Sequence, residues 1–226
     1  MTSSNGQFGV IFDMDGVLVD SGWAHRQAWY DLAAKEGFDM SDEFFSRTFG
    51  MQNDTIIPML RPGISAPELD RLADWKEQRY RDLVQSHPQA AEGVLPLLRD
   101  LKTRNFKLAI GSSAPGANLD VFWAPLRLGD YIDVRVTKEQ VIEGKPAPET
   151  FLKAAEQLSL APGCCAVVED AVHGVEAGKA AGMAVVAVTT TRTRDELSLA
   201  DRIVDSLAEL TAEDFLSLLT RDPKAQ

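Results

Sequence analysis

The chain has 226 residues, 45% of them hydrophobic, and carries a formal net charge of −11 at pH 7. This length and hydrophobic content suffice for one large or two modest domains with a buried core. The negative charge argues against a protein that binds along the phosphate backbone of nucleic acid, because such binding needs clustered Lys and Arg. It indicates a solubilising surface, and it still allows a small anionic substrate bound by local groups.

No segment has the pattern of a secretion signal or a membrane span. The N-terminal MTSSNGQ has neither a basic region nor an apolar one, and no later stretch approaches about 18 consecutive apolar residues. We therefore expect a cytoplasmic protein that does not bind membranes. Cys164 and Cys165 are adjacent, a spacing that rarely suits a disulfide, and are predicted to be free thiols.

Short apolar runs alternate with amphipathic stretches along most of the chain. The predicted strands are 8–12, 107–111, 165–169, 183–188 and a shorter one at 201–205. The predicted helices between them are 93–104, 148–160 and 171–182. Continuous apolar strands are typical of a parallel sheet covered on both faces. The alternation predicts an α/β fold with a doubly wound, Rossmann-like parallel sheet, in which ligands bind at the carboxyl ends of the strands.

Residues 21–91 contain no convincing strand and interrupt this alternation. Within them, AHRQAWYDLAAKEG predicts a helix ending at Gly37, and a longer helix begins near Ser65. Ser65 and Glu68 have the spacing of a capping box, in which each side chain binds the other residue's backbone N–H.

The interruption predicts two domains. Residues 1–20 and 92–226 form the α/β catalytic core, and residues 21–91 form a helical cap placed over the active edge of the sheet. The C-terminal RDPKAQ is predicted to be frayed.

Two carboxylates end the first predicted strand. Asp13 and Asp15 flank Met14, so their side chains point to the same side. Like charges this close are unfavourable unless a cation joins them, and Mg²⁺ is the natural partner for oxygen ligands. A turn with solvated carboxylates is the alternative for this motif alone. Glu169 and Asp170 end another strand in the same way, and the repetition favours a metal site built from both strand ends.

Two further loops carry groups suited to an anion. Ser112 and Ser113 follow strand 107–111 ahead of a predicted helix, where a hydroxyl and backbone amides can bind phosphate; serine before a helix is also a common cap. Lys145 lies between Gly144 and Pro146, in a stiff loop that favours a fixed phosphate or carboxylate partner over an isolated surface lysine.

The segments DMDGVLVDS, GSS, GKPAPE and VVEDAVHGVEAGKAAGM, within about residues 8–188, resemble the four ordered motifs of the haloacid dehalogenase superfamily, in its phosphatase and phosphomutase branch. The helical insertion resembles the small cap of the subfamily that contains β-phosphoglucomutase and related sugar-phosphate phosphatases. The resemblance implies an aspartyl-phosphate intermediate and Mg²⁺ as the cofactor.

The resemblance also implies roles for individual residues. Asp13 matches the nucleophile, and Asp15 matches the general acid/base whose backbone carbonyl also binds the metal. Asp170, with Glu169 beside it, matches the acidic motif that holds Mg²⁺ together with Asp13. The groups that match binding of the phosphoryl are Ser112, with Ser113 beside it, and Lys145, which also steadies the nucleophile.

The cap departs from the mutase pattern. Where β-phosphoglucomutases carry an arginine that holds the substrate's second phosphate, this chain has Asn53, which favours hydrolysis unless Arg47 or Arg61 compensates. The loop SAPGAN also replaces the Ser-Lys-Asn of the mutases. His25 matches a histidine near the hinge that helps to position the general acid; a buried structural histidine is the alternative.

The predicted function is therefore a Mg²⁺-dependent phosphatase that hydrolyses a small phosphomonoester, such as a sugar phosphate. A β-phosphoglucomutase-type phosphosugar mutase is the main alternative. A non-enzymatic phospho-receiver shares the chemistry of the core but needs about one modest domain and has no cap. A degenerate binding protein that keeps the fold without catalysis is the last alternative. The predicted partner is a small phosphorylated metabolite, and the protein is expected to be a monomer.

Overall fold

The computed structural model describes residues 7–220, and the predicted fraying of the tail concerns residues 221–226, which lie outside that range. A parallel sheet of six strands forms the centre of the described part, with the spatial order β3-β2-β1-β4-β5-β6. The strands are β1 (Gly9–Phe12), β2 (Lys107–Gly111), β3 (Val134–Val136), β4 (Cys165–Glu169), β5 (Ala184–Val188) and β6 (Arg202–Val204). The doubly wound α/β fold predicted from the sequence is confirmed.

The α-helices of residues 7–220 fall into two groups along the chain. Between β1 and β2 lie α1 (Gly22–Glu36), α2 (Asp42–Thr48), α3 (Asn53–Leu60), α4 (Ala66–Val84) and α5 (Val94–Thr103). After β2 lie α6 (Gly116–Trp123), α7 (Glu149–Leu158), α8 (Val172–Ala180) and α9 (Ala212–Leu219). None of the helices in the described range is both long and apolar enough to cross a membrane.

Both faces of the sheet are buried. In β1, Val10 and Phe12 belong to the hydrophobic cluster on one face, and Ile11 belongs to the cluster on the other. This alternation is the pleat of a strand between two apolar layers, and it explains why β1 is apolar at every position. The polar residues that follow β1 are therefore displayed at the strand's carboxyl end.

The predicted elements agree closely with the structure where the local pattern is strong. The helix predicted to end at Gly37 does so, with Gly37 at φ 74° and its N–H donating to the carbonyl of Ala33. The predicted capping box is wrong: Ser65 precedes α4, but its hydroxyl makes no cap hydrogen bond. Glu68 instead pairs with Arg61 at 2.5 Å, because the guanidinium at the end of α3 lies within reach.

Helices α1 to α4 pack around a hydrophobic cluster separate from those of the sheet. Its fully buried side chains include Leu32, Ile57 and Leu72. We propose to divide the chain at residues 20/21 and 91/92, and we call residues 21–91 the cap and the remainder the core. Cys164 and Cys165, in the core, are free thiols as predicted.

Candidate active site

A pocket lies at the carboxyl ends of the central strands, between the core and the cap. All nine residues proposed from the sequence line this pocket, and three further charged residues join them. The core contributes Asp13, Asp15, Ser112, Ser113, Lys138, Lys145, Glu169 and Asp170, and the cap contributes His25, Asn53, Lys76 and Glu77.

The ammonium group of Lys145 joins two of the core carboxylates. Its Nζ lies 2.5 Å from Oδ1 of Asp13 and 2.6 Å from Oε1 of Glu169, and the side chain is 3% exposed. Burial alone would lower the pKa of Lys145, but the two adjacent carboxylates raise it well above its usual value. Lys145 is therefore a fixed cation at the bottom of the pocket.

Glu169 is a carboxylate of this cluster whose two oxygens both have protein donors. Oε1 binds Lys145, and Oε2 accepts the backbone N–H groups of Asp170 and Ala171 at 2.9 and 3.0 Å. The carboxylate packs so closely on α8 that a Cβ at Gly174 would lie 1.8 Å from Oε1. Residue 174 must therefore lack a side chain.

Asp13, Glu169 and Asp170 are a candidate set of metal ligands. One oxygen from each lies within 4.8 Å of the others, and all three residues are buried. Burial raises the pKa of Asp13 to about 7, although the charge of Lys145 acts in the opposite direction. Burial also raises the pKa of Asp170 well above its usual value, and repulsion from Glu169 adds to this effect. One lysine does not neutralise three buried carboxylates, so this donor set suits a hard divalent cation.

Asp15 has a different environment although it is two residues from Asp13. Its Oδ1 lies 3.0 Å from Nε2 of His25 and accepts hydrogen bonds from the hydroxyls of Ser21 and Tyr80, at 2.5 and 2.7 Å. Burial alone would raise the pKa of Asp15, but His25 and these two hydroxyls lower it to about 2. Asp15 is thus bound by side chains of residues 21–91, and Asp13 by Lys145 of the remaining chain.

The serines after β2 lie ahead of helix α6, as predicted, but their hydroxyls do not cap it. Ser112 accepts the N–H of Ala114 through its hydroxyl at 3.1 Å, but helix α6 begins only at Gly116. The N–H of Gly116 donates to the carboxylate of Glu139 at 3.1 Å, so this end of the helix is already paired. Ser113 Oγ, in contrast, is buried without a hydrogen-bond partner among the described residues. This hydroxyl suits a bound anion better than the helix terminus does.

The cap residues of the pocket include two that sequence reasoning missed, Lys76 and Glu77. Asn53 begins α3, and its Nδ2 donates to Oε1 of Glu77 at 2.7 Å. Arg47 and Arg61 are not among the residues that line the pocket; Arg47 lies over the ring of Phe44 and Arg61 pairs with Glu68.

A signal for Lys76 and Glu77 is present in the sequence. They share one face of α4 with Ala73 and Tyr80, at helical spacings of three and four residues, and this face is buried.

Thr191 is another residue that the sequence analysis missed. Its hydroxyl lies 2.6 Å from Oδ2 of Asp170, and the neighbouring Thr190 donates to the carbonyl of Gly16 at 2.6 Å. Both threonines follow β5, and no apolar or charged pattern distinguishes them in the sequence. Thr191 therefore orients a candidate metal ligand from an adjacent loop.

The fold is a parallel α/β sheet with a helical insertion after β1. Acidic residues follow two of the central strands, and a lysine joins them. This combination is typical of a hydrolase with the haloacid dehalogenase fold. The family model of the haloacid dehalogenase-like hydrolases matches residues 10–188, and the chain belongs to this family.

Similar proteins include two curated phosphatases. Hexitol phosphatase A of Escherichia coli is 33% identical over 206 residues, covering 90% of this chain and 93% of that protein. The phosphorylated carbohydrates phosphatase of Thermotoga maritima is 32% identical over 179 residues, covering 77% of this chain and 81% of that protein. The crystal structure of β-phosphoglucomutase from Clostridium difficile superposes with a TM-score of 0.86 at 28% identity, covering 94% of this chain and 97% of that chain.

Proposed function

We propose that this protein is a Mg²⁺-dependent phosphatase that hydrolyses a small phosphomonoester, of the sugar phosphate class, through an aspartyl-phosphate on Asp13. The observation that carries the proposal is the different setting of the two aspartates after β1. Asp13 binds Lys145 in the core, whereas Asp15 binds His25 and Tyr80. Two carboxylates in different settings suit two roles, a nucleophile and an acid/base.

In the first step, an oxygen of Asp13 attacks phosphorus while the ester oxygen leaves with a proton from Asp15. The approach of a phosphate dianion raises the pKa of Asp15 and so favours its protonated form. In the second step, Asp15 takes a proton from water, which attacks the aspartyl-phosphate and releases inorganic phosphate. Lys145 and the hydroxyls of Ser112 and Ser113 bind the phosphoryl oxygens.

Mg²⁺ would be held by Asp13, Asp170 and the backbone carbonyl of Asp15, with Glu169 beside them. When bound, it supplies positive charge that lets an anionic phosphate approach an anionic nucleophile. The buried excess of carboxylates around Asp13 supports such a cation. Thr191 would keep Asp170 in position.

The substrate class is supported by the relatives. One is named as a hexitol phosphatase and another as a phosphatase of phosphorylated carbohydrates. The cap side of the pocket carries His25, Asn53, Lys76 and Glu77 beside apolar side chains, and this polar group supports a hydroxylated substrate. Action as a monomer is part of the same proposal. The two free thiols support a location in the reducing cytoplasm.

A phosphosugar mutase is the second candidate, because the β-phosphoglucomutase structure superposes over nearly the whole chain. In the cap, Lys76 is a cation that a second phosphate could use. However, it already pairs with Glu77 at 2.8 Å. Hydrolysis is therefore the function that the geometry supports better.

The test is release of inorganic phosphate from a panel of sugar phosphates, sugar-alcohol phosphates and nucleotides, with Mg²⁺ and with EDTA. We expect Asp13→Asn and EDTA each to abolish release, and Asp195→Asn, at an exposed aspartate, to leave it unchanged. The panel is repeated with glucose 1,6-bisphosphate at catalytic concentration. Isomerised sugar phosphate with little free phosphate would identify a mutase instead.

A further inference from the structure

The cap contributes a buried ion pair to the wall of the pocket. Lys76 and Glu77 are adjacent in α4, their side chains are 3% and 7% exposed, and Nζ of Lys76 lies 2.8 Å from Oε1 of Glu77. The same Nζ lies 2.8 Å from Nδ1 of His25. An ammonium group has three N–H donors, and two of those of Lys76 have hydrogen-bond partners among residues 7–220, which leaves one for a substrate.

Three side chains donate hydrogen bonds to the carboxylate of Glu77: Lys76, Asn53 and Asn118. Asn53 donates to Oε1 at 2.7 Å, and Asn118 donates to Oε2 at 2.6 Å. The amide oxygen of Asn118 accepts from Arg81 at 3.0 Å; because a guanidinium only donates, this contact directs the Asn118 NH₂ group towards Glu77. Burial alone would raise the pKa of Glu77, but the charge of Lys76 and the hydrogen bonds from Lys76 and Asn118 lower it to about 2. Glu77 is thus a fixed carboxylate in the pocket wall, and among the described residues its Oε2 accepts one side-chain hydrogen bond, from Asn118.

The two lysines that line the pocket besides Lys145 already have anionic partners within residues 7–220. Lys76 pairs with Glu77, and Lys138 lies 3.3 Å from Asp54. A second phosphate or a carboxylate bound beside Lys76 would lose its hydration next to the negative charge of Glu77. The ammonium of Lys76 would not offset this cost, because Glu77 already balances its charge. A hydroxyl group can instead accept an N–H of Lys76 and donate to the carboxylate of Glu77, because it carries no charge and both donates and accepts.

We propose that the Lys76–Glu77 pair, held by Asn53 and Asn118, is a specificity site for the substrate end distant from the transferred phosphate. It accepts an uncharged, hydroxylated end and rejects an end that carries a second phosphate or a carboxylate. The inference rests on the proposed phosphatase function and narrows it to monophosphates of neutral sugars and sugar alcohols. It also disfavours retention of a sugar bisphosphate, which a mutase requires.

Sorbitol 6-phosphate and 6-phosphogluconate test the inference on the unaltered enzyme. They share a six-carbon chain and a phosphate, and they differ at the far end, which is a hydroxymethyl group in one and a carboxylate in the other. We expect kcat/KM to be at least about tenfold higher for sorbitol 6-phosphate because of the charge at Glu77. Equal values would overturn the proposal.

Glu77→Gln tests the residue itself, since it removes the charge and keeps the size. We expect it to lower the ratio of the two kcat/KM values at least about fivefold. Asp74→Asn is the matched control: it removes one negative charge from the exposed face of the same helix, and it should leave the ratio unchanged. A ratio that responds equally to both substitutions, or to neither, contradicts the assignment.

A binding measurement separates this inference from the proposed function. In the Asp13→Asn background, isothermal titration calorimetry gives Kd for both compounds without turnover. Tighter binding of sorbitol 6-phosphate, with the difference reduced by Glu77→Gln, supports the specificity site even if the unaltered enzyme releases no phosphate. Equal Kd values reject it even if the enzyme is an active phosphatase. Should Glu77→Gln not fold, the Kd comparison without that substitution decides.

Discussion

Nε2 of His25 lies 3.0 Å from Oδ1 of Asp15, so a residue of the cap's first helix holds a carboxylate that follows the first strand of the core. The His25 ring stacks on Tyr80, with ring centroids 4.0 Å apart, and Tyr80 donates to the same carboxylate oxygen. Because Lys76 donates to Nδ1 of His25, Nε2 carries the proton that faces Asp15. The position of the proposed acid/base therefore depends on two helices of the cap.

The first prediction concerns His25. We expect His25→Ala to lower kcat about 10- to 100-fold, because Asp15 loses a partner that fixes its orientation, and a misplacement of about 1 Å costs rate in this range. The KM for a phosphomonoester should change less. Steady-state kinetics at several pH values checks this, with His87→Ala, an exposed histidine, as the control. Unchanged kcat in His25→Ala would show that Asp15 is positioned without it.

The second prediction concerns the pH dependence of metal binding. The pKa of Asp13 is raised to about 7 in the folded state and lies near 4 when unfolded. Between about pH 4 and about pH 7 the folded protein therefore holds a proton that the unfolded chain has lost. Without metal, the free energy of unfolding thus falls as the pH rises through this range. The proposed Mg²⁺ would compete with this proton and with protonation of Asp170, whose pKa is also raised.

We expect saturating Mg²⁺ to raise Tm by about 4 °C more at pH 8 than at pH 5.5. Thermal unfolding followed by circular dichroism, in EDTA and in Mg²⁺ at both pH values, checks this. Asp13→Asn should reduce the difference, because it removes a group that both the proton and the metal use. An equal rise in Tm at the two pH values would count against a metal bound by these carboxylates.

The third prediction concerns Gly174. Alanine normally stabilises a helix relative to glycine, but here its Cβ would lie 1.8 Å from Oε1 of Glu169. We expect Gly174→Ala to destabilise the fold by about 1–3 kcal/mol through overpacking, and to lower activity as Glu169 moves from Lys145. Gly163→Ala is the matched control, since the Cβ that it adds meets no heavy atom of the described residues within 4 Å. Urea unfolding should find the control within about 0.5 kcal/mol of the original protein.

The fourth prediction concerns Thr191, whose hydroxyl lies 2.6 Å from Oδ2 of Asp170. We expect Thr191→Val to weaken Mg²⁺ binding about 10- to 100-fold, the usual cost of losing a group that orients a metal ligand. Thr191→Ser keeps the hydroxyl and should retain most of the affinity. The measurement is the Mg²⁺ concentration that gives half-maximal phosphate release. Thr189→Val, in the same loop, removes a hydroxyl that binds the exposed Asp205 and serves as the control.

The strands and helices predicted from the sequence agree with the structure where one local pattern is enough to identify them. Strands β2 and β4 begin and end at the predicted residues, because a strand buried on both faces must be apolar throughout. Strand β3 was missed because it is three residues long and has an exposed Arg135 at its centre. In β3 only Val136 is fully buried, so no apolar run marks this strand in the sequence.

The sequence by itself determined five of the six strands, the polar residues at the carboxyl edge of the sheet and the presence of a helical insertion, since each follows from residues that are neighbours in the chain. Only the tertiary structure decided which partners these residues have. Lys145 and Asp13 are 132 positions apart in the chain, and Glu77 and Asn118 are 41 apart. Such pairs leave no local periodicity. They form because the folded sheet and the cap bring distant segments together and exclude water from the charges between them.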